Sequence, residues 1–279
     1  MDLGLSGRKA IVTGGSKGLG KAITADLMAE GASVVICSRN AAELAATAAE
    51  LTKHVAGGAG SGGAGSHGAG SHGAGTVHAL PCDVTDPDQV VSFIDGATAT
   101  LGGLDILVNN AGGARPGQFG TLTDDDWHAD IEVKLFSQIR CTRAALPSLR
   151  QSPAPRVINI NAVYARYPDP AFLASSVNRA SCLSLSKALS IELGRDGILV
   201  NSVNIGLVET PQWQNIHRRR APDMPAEQFF GQLAAAEVPL GRFGRPDEVA
   251  GLVAFLASDR ASYIAGASID VAGGMGKFL

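Results

Sequence analysis

Thr13-Gly14-Gly15-Ser16-Lys17-Gly18-Leu19-Gly20 is the segment whose composition and spacing most directly imply chemistry. The glycines permit a tight turn and close backbone approach, and a helix starting there would aim free N–H groups and the positive end of its dipole at a pyrophosphate. Such turns also close ordinary strand-to-helix connections, so other polar groups must share the same edge for the reading to hold. Cys82-Asp83-Val84 and Asn109-Asn110-Ala111-Gly112, each following a short apolar run, supply them. His67 and His72 could bind a metal, but they lie in a repeated GAGSH stretch that reads better as an expanded loop.

These groups need strands that end on one edge. Short β-branched runs occur at 9–13, 33–37, 76–79, 105–108, 156–160, 199–204 and 267–271. Several are apolar at successive positions, as in a parallel sheet covered by helices on both faces. Ile23, Leu27 and Met28 mark a helix stopped by Gly31, and further helices are predicted near 41–54, 87–100, 124–149, 176–193 and 247–257. The alternation gives an α/β chain: a single-domain, Rossmann-type, doubly wound parallel sheet of about seven strands. The Gly/Ala/Ser/His repeat at 56–75 interrupts the rhythm and is predicted to be a flexible surface insertion, with one domain running through 1–279.

Composition narrows the function classes. A formal charge of −3 gives no basic field for nucleic acid or anionic lipid. No apolar run reaches the ~18 residues a membrane helix needs, and the start shows no signal-peptide pattern. A cytoplasmic protein with no membrane or nucleic-acid partner is expected. Cys37, Cys82, Cys141 and Cys182 lack metal-ligand spacing and read as buried thiols in a reducing compartment, and no metal site is expected.

With these motifs in place, the chain resembles the short-chain dehydrogenase/reductase family over essentially its whole length. The TGxxxGxG turn at 13–20 and the NNAG segment at 109–112 carry the likeness, with support from Gly197-Ile198-Leu199-Val200-Asn201 and the 266–274 ending. The resemblance implies a nicotinamide dinucleotide held by Gly14, Ser16, Lys17, Gly18, Leu19 and Gly20. It places Asp83 and Val84 at the adenine, Asn110, Ala111 and Gly112 at the ribose side, and Val208 and Thr210 at the carboxamide. Ser38 and Arg39 stand where a 2′-hydroxyl reader would carry a carboxylate, and Arg39 with Lys17 offers cations to a 2′-phosphate, so NADP(H) is expected over NAD(H).

The same resemblance exposes a departure. Relatives carry a Ser after the fifth strand, a YxxxK pair on the next helix and an Asn on the preceding one. Here Ala162, Ser175, Arg179 and Lys134 occupy those four positions. Tyr164 stands where the dienoyl-CoA reductase branch, which also has Ser in the usual Tyr slot, places its working Tyr. The expectation is a rewired site: Tyr164 as acid or oxyanion donor, Lys134 as the ammonium that lowers the phenol pKa, and Arg179, one turn beyond Ser175, as a binder of ribose or an anionic group.

Three functions remain open: reduction of a carbonyl or a carbonyl-conjugated double bond, dinucleotide binding without turnover, and isomerase or lyase chemistry without net redox. The region 206–238 would shape the substrate pocket. His217-Arg218-Arg219-Arg220 would either clamp an anionic, carrier- or CoA-linked substrate or form a solvated face, while Phe229-Phe230 would line or close the pocket. The resemblance also implies a homodimer or homotetramer, with the ending through Lys277-Phe278-Leu279 fitting an interface.

Overall fold

The computed structural model describes residues 2–56 and 75–276. The glycine-rich insertion with His67 and His72, and the last three residues, lie outside them. Among the described residues seven strands form one parallel sheet in the order β3-β2-β1-β4-β5-β6-β7. They are β1 Lys9–Thr13, β2 Ser33–Cys37, β3 Val77–Ala79, β4 Ile106–Asn109, β5 Arg156–Ala162, β6 Leu199–Ile205 and β7 Ser268–Val271. The order reverses between β1 and β4, which opens a crevice at the strand C-termini where such sheets take ligands.

Helices α1 Gly18–Ala29, α2 Ala41–Ala56, α3 Pro87–Leu101, α4 Asp124–Ile131, α5 Ser137–Leu149, α6 Leu173–Leu193, α7 Pro211–Arg220, α8 Ala226–Glu237 and α9 Pro246–Ala257 complete the chain. Two apolar clusters follow from the continuous burial of the strands. Val12, Val34, Ile36 and Val108 pack with Ile23, Leu27 and Val253 on one face of the sheet. Ile11, Val35 and Leu107 pack with Phe93, Ile94 and Leu149 on the other. Burying a side chain of this size stabilises by about 1.5–3 kcal/mol.

The predicted strands lie within a residue or two of those observed, but the predicted 124–149 helix is not uniform. Between α4 and α5 the backbone widens into a π-helical turn, Glu132–Phe136, where the Ser137 N–H donates to the Glu132 carbonyl. Such wide turns are rare and occur often at functional sites. Cys37, Cys82, Cys141 and Cys182 are buried and free. Among the described residues no helix is long and apolar enough to cross a membrane.

Candidate active site

One cavity of about 1100 Å³ opens at the C-terminal edge of the sheet, and the residues expected to hold the nucleotide, together with Lys134, Tyr164, Ser175 and Arg179, line it. At one end the glycine turn enters α1. A Cβ on Gly20 would sit 2.2 Å from the Gly14 carbonyl oxygen and 2.5 Å from Asn110 Nδ2, so the turn closes only without a side chain there. Asn110 Nδ2 donates to the carbonyls of Thr13 and Gly14, at 2.9 and 3.1 Å, and the N–H groups of Asn110 and Ala111 donate to Thr13 Oγ1. The Asn110 side chain thus braces the turn, while Ala111 and Gly112 present backbone to the cavity.

Asp83 accepts from the Thr85 N–H and hydroxyl at 3.0 and 2.8 Å, beside Val84, and Val208 and Thr210 also line the cavity, Thr210 against the glycine turn at Gly18. The cations behind the turn differ from each other. Lys17 Nζ lies 3.2 Å from the Glu43 carboxylate, which also accepts from Ser16 Oγ at 3.1 Å. Arg39 is exposed at the cavity rim beside Ser38 and carries no ion pair or hydrogen bond among the described residues. Arg39 is therefore an unpaired cation at the rim among the described residues, whereas Lys17 is shared with a carboxylate.

At the other end, the π-helical turn points Lys134 inward. Its ammonium, about 1% exposed, donates to Asp130 Oδ1 and, at 3.0 Å, to Ser175 Oγ. Asp130 is equally buried and also accepts from Asn178 Nδ2 at 2.8 Å, with Ser175 Oγ 3.5 Å from its Oδ1. The Arg115 N–H donates to Ser175 Oγ at 3.3 Å from the loop after β4. Burial, then the nearby Arg179 guanidinium, lowers the Lys134 pKa to about 8, with Asp130 opposing both. Arg179 donates through Nη1 to the Ile160 carbonyl at 2.7 Å, and its Nη2 lies 2.9 Å from where a Cβ on Gly112 would stand. Burial lowers its pKa as well.

The expected pairing of Lys134 with Tyr164 is corrected by this geometry. Tyr164 sits in the 3-10 turn Val163–Ala165 at the end of β5 and stacks on Phe172, with ring centroids 5.5 Å apart and planes at 17°. Burial, then the Asp169 and Glu237 charges, pushes its phenol pKa up, and the leading opposing charge is Arg220 and not Lys134. The ammonium contacts Ser175 and Asp130 instead.

Phe172 and Trp213 continue an apolar wall from Tyr164. Phe229 and Phe230 are not on the cavity surface, contrary to expectation: they pack on His217, and Phe230 on Phe243, behind Trp213. The three consecutive arginines diverge, as helical residues must. Arg220 lies 5.2 Å over the Phe172 ring and Arg218 bonds Asn215. Asp130 and Asn178, which pack around Lys134, are the residues of this cluster that sequence reading did not single out. The four-residue spacing from Asp130 to Lys134 was the available signal.

A switch-point crevice, a glycine turn aimed into it and a buried proton-bearing cluster at its far end define an oxidoreductase of the Rossmann type. Residues 8–60 match the family described as short chain dehydrogenase, and residues 66–276 the one described as Enoyl-(Acyl carrier protein) reductase. The chain is 34% identical to 3-oxoacyl-[acyl-carrier-protein] reductase FabG of Salmonella typhimurium over 98% of its own length and 99% of the relative's. L-sorbose reductase of Gluconobacter frateurii, solved with NADPH and L-sorbose, superposes with a TM-score of 0.90 at 30% identity, covering all of both chains. An NADPH-bound short chain oxidoreductase of Pseudomonas aeruginosa, described as containing an atypical catalytic center, gives 0.86 at 35% identity over 99% of each chain. This chain belongs to the short-chain dehydrogenase/reductase family.

Proposed function

We propose that the protein is an NADP(H)-dependent reductase of a carbonyl or carbonyl-conjugated double bond, with Lys134 as the proton source. The observation that carries this reading is the Lys134 Nζ to Ser175 Oγ contact of 3.0 Å inside the cavity. The residues present fit the nucleotide: the turn excludes a side chain at Gly20, which leaves backbone for phosphate, and Arg39 is free at the rim. Gly14 to Gly20 would hold the pyrophosphate, Asp83 and Val84 the adenine, Arg39 the 2′-phosphate, and Arg179 the nicotinamide-side ribose. Bound NADPH supplies the hydride. The likeness to the two NADPH-bound structures supports this choice of nucleotide.

The chain's own groups then manage one proton. With a pKa near 8, Lys134 is mostly ammonium at neutral pH yet acidic enough to give its proton up, the property a general acid requires. The Ser175 hydroxyl accepts from Lys134 and is placed to pass its own proton to substrate oxygen. Asp130 keeps the amine charged between turnovers. Tyr164 stays protonated because its pKa is raised, so it acts as a neutral donor to the carbonyl and not as the acid. The apolar wall of Phe172 and Trp213 suits an acyl chain or ring, and the reductase of acyl-carrier-linked substrates among the relatives supports a thioester-borne ketone.

NADPH oxidation followed by absorbance against ketones, aldehydes, enones and 3-oxoacyl thioesters tests this. Lys134→Met is expected to lose about 10²–10⁴-fold in kcat, and Tyr164→Phe about 10²-fold. Undiminished turnover in both variants refutes it. The second reading, nucleotide binding without turnover, is favoured by the loss of all four usual catalytic residues at Ala162, Ser175, Arg179 and Lys134. It predicts NADPH binding with no absorbance change for any substrate.

A further inference from the structure

Ser175 has the surroundings of a nucleophile as well as those of a relay. It is the third residue of α6, where backbone N–H groups of the first turn lack intrahelical partners and the helix dipole is positive. Its Oγ is 3.0 Å from an amine, 3.3 Å from the Arg115 N–H, and on the surface of the cavity. A serine hydroxyl beside a buried lysine amine is one of the recurrent ways to make an alcohol attack a carbonyl.

The amine can serve as a base because of what faces it. Asp130 from α4 favours the ammonium; Arg179 from α6 opposes it, while Asn178 and Ser175 from α6 are neutral and Cys182 from α6 is held as a thiol by its raised pKa. The adjoining first turn of α5 offers buried Gln138, also neutral. Desolvation tips the balance, so neutral amine forms from about pH 8 upward. The group that donates a proton in the reductive reading is, deprotonated, a base hydrogen-bonded to an alcohol.

We propose that Ser175 and Lys134 also form an acyl-transfer dyad that hydrolyses thioesters or activated esters of small acyl groups bound along the Tyr164, Phe172 and Trp213 wall. Ser175 Oγ bonds to the carbonyl carbon while Lys134 Nζ takes the hydroxyl proton. The carbon–sulfur bond breaks, and the leaving thiolate takes the proton back from Lys134. Water then adds to the Ser175 ester with Lys134 as base, the ester carbon–oxygen bond breaks, and Ser175 recovers its proton. The net reaction is thioester plus water to carboxylic acid plus thiol, with no redox change.

The full chain, free of nucleotide, is incubated with p-nitrophenyl acetate and with the acetyl thioester of N-acetylcysteamine from about pH 7 to 9.5, with acid-quenched peptide mass mapping and release kinetics in parallel. The dyad predicts an acetyl group on Ser175, release that rises through about pH 8, and a loss of at least about 100-fold in Ser175→Ala and Lys134→Met. Absence of both a Ser175 adduct and Ser175-dependent release overturns the proposal, as does acetylation of Lys134 in place of Ser175. The mapping uses the unaltered chain, so a variant that fails to fold does not cloud it. NADPH oxidation is measured on the same preparation. Its absence alongside an acylated Ser175 refutes the reductase reading alone, and its presence with Ser175 unmodified refutes the dyad alone.

Discussion

Replacing Asp130 by Asn should move the pH dependence of reduction while leaving the shape of the site intact. Asp130 and Lys134 are both about 1% exposed, and the carboxylate also accepts from Asn178. An amide of the same size removes the charge and turns one accepting oxygen into a donor, which the Asn178 amide meets by turning over to present its oxygen. An opposite charge in contact raises a lysine pKa by roughly 1–3 units; the middle of that range corresponds to about 3 kcal/mol. Lys134 would then titrate near 6 instead of about 8. Reduction needs the ammonium, so activity is lost as pH rises through that pKa. At pH 7 the ammonium fraction would fall from about nine-tenths to about one-tenth, giving a roughly ninefold loss that recovers below about pH 5. The assay is kcat/KM for NADPH oxidation from about pH 5 to 9.5, with thermal unfolding to confirm the fold. If the alkaline fall of Asp130→Asn coincides with that of the unaltered protein, Asp130 does not hold the proton on Lys134 and the argument fails.

Arg39→Ala should weaken NADPH binding by about 10–100-fold and leave NADH within about twofold, since one charge-assisted contact is lost; fluorescence titration decides. Glu43→Gln, by releasing Lys17 from its 3.2 Å pairing, should tighten NADPH in the same titration. Gly20→Ala places a methyl 2.2 Å from the Gly14 oxygen and should cost about 1–3 kcal/mol in denaturant unfolding and abolish nucleotide binding. Because the folded pKa of Lys134 lies below its ordinary 10.5, the unfolded chain binds more protons between about pH 8 and 10.5, and unfolding free energy rises across that window by about 3 kcal/mol from this group. Lys134→Met should lose that rise. Cys141, whose pKa burial pushes up to about 12, costs stability above about pH 9 in both proteins and cancels in the difference.

The sheet and its glycine turn were readable because they rest on short-range rules. Unbroken apolar runs mark strands buried on both faces, and only glycine fits beside the Gly14 carbonyl. The Lys134 partnership was not readable. Asp130 four residues before a lysine is the pattern of countless solvated helix faces, and only the packing of α6 against the π-helical turn shows that both groups are buried. Tyr164 lines the cavity, but its pKa depends on burial and on Glu237, which comes from the end of α8, as well as on nearby Asp169. The positions of Phe229 and Phe230 depended on how α8 packs on α7 at His217, which periodicity alone does not encode.

The wide turn at Glu132–Phe136 acts as a gear between two halves of what would otherwise be one rod. Each residue advances an α-helix by about 100°, so the single extra residue sets the angular phase of Cys141, Ala145 and Leu149 against the sheet independently of the phase of Asp130. Core packing downstream and chemistry upstream can thus be adjusted separately. A one-residue shortening here would force the two faces back into a common phase, turning either the core residues or the Asp130 carboxylate out of place while changing no side chain that touches substrate.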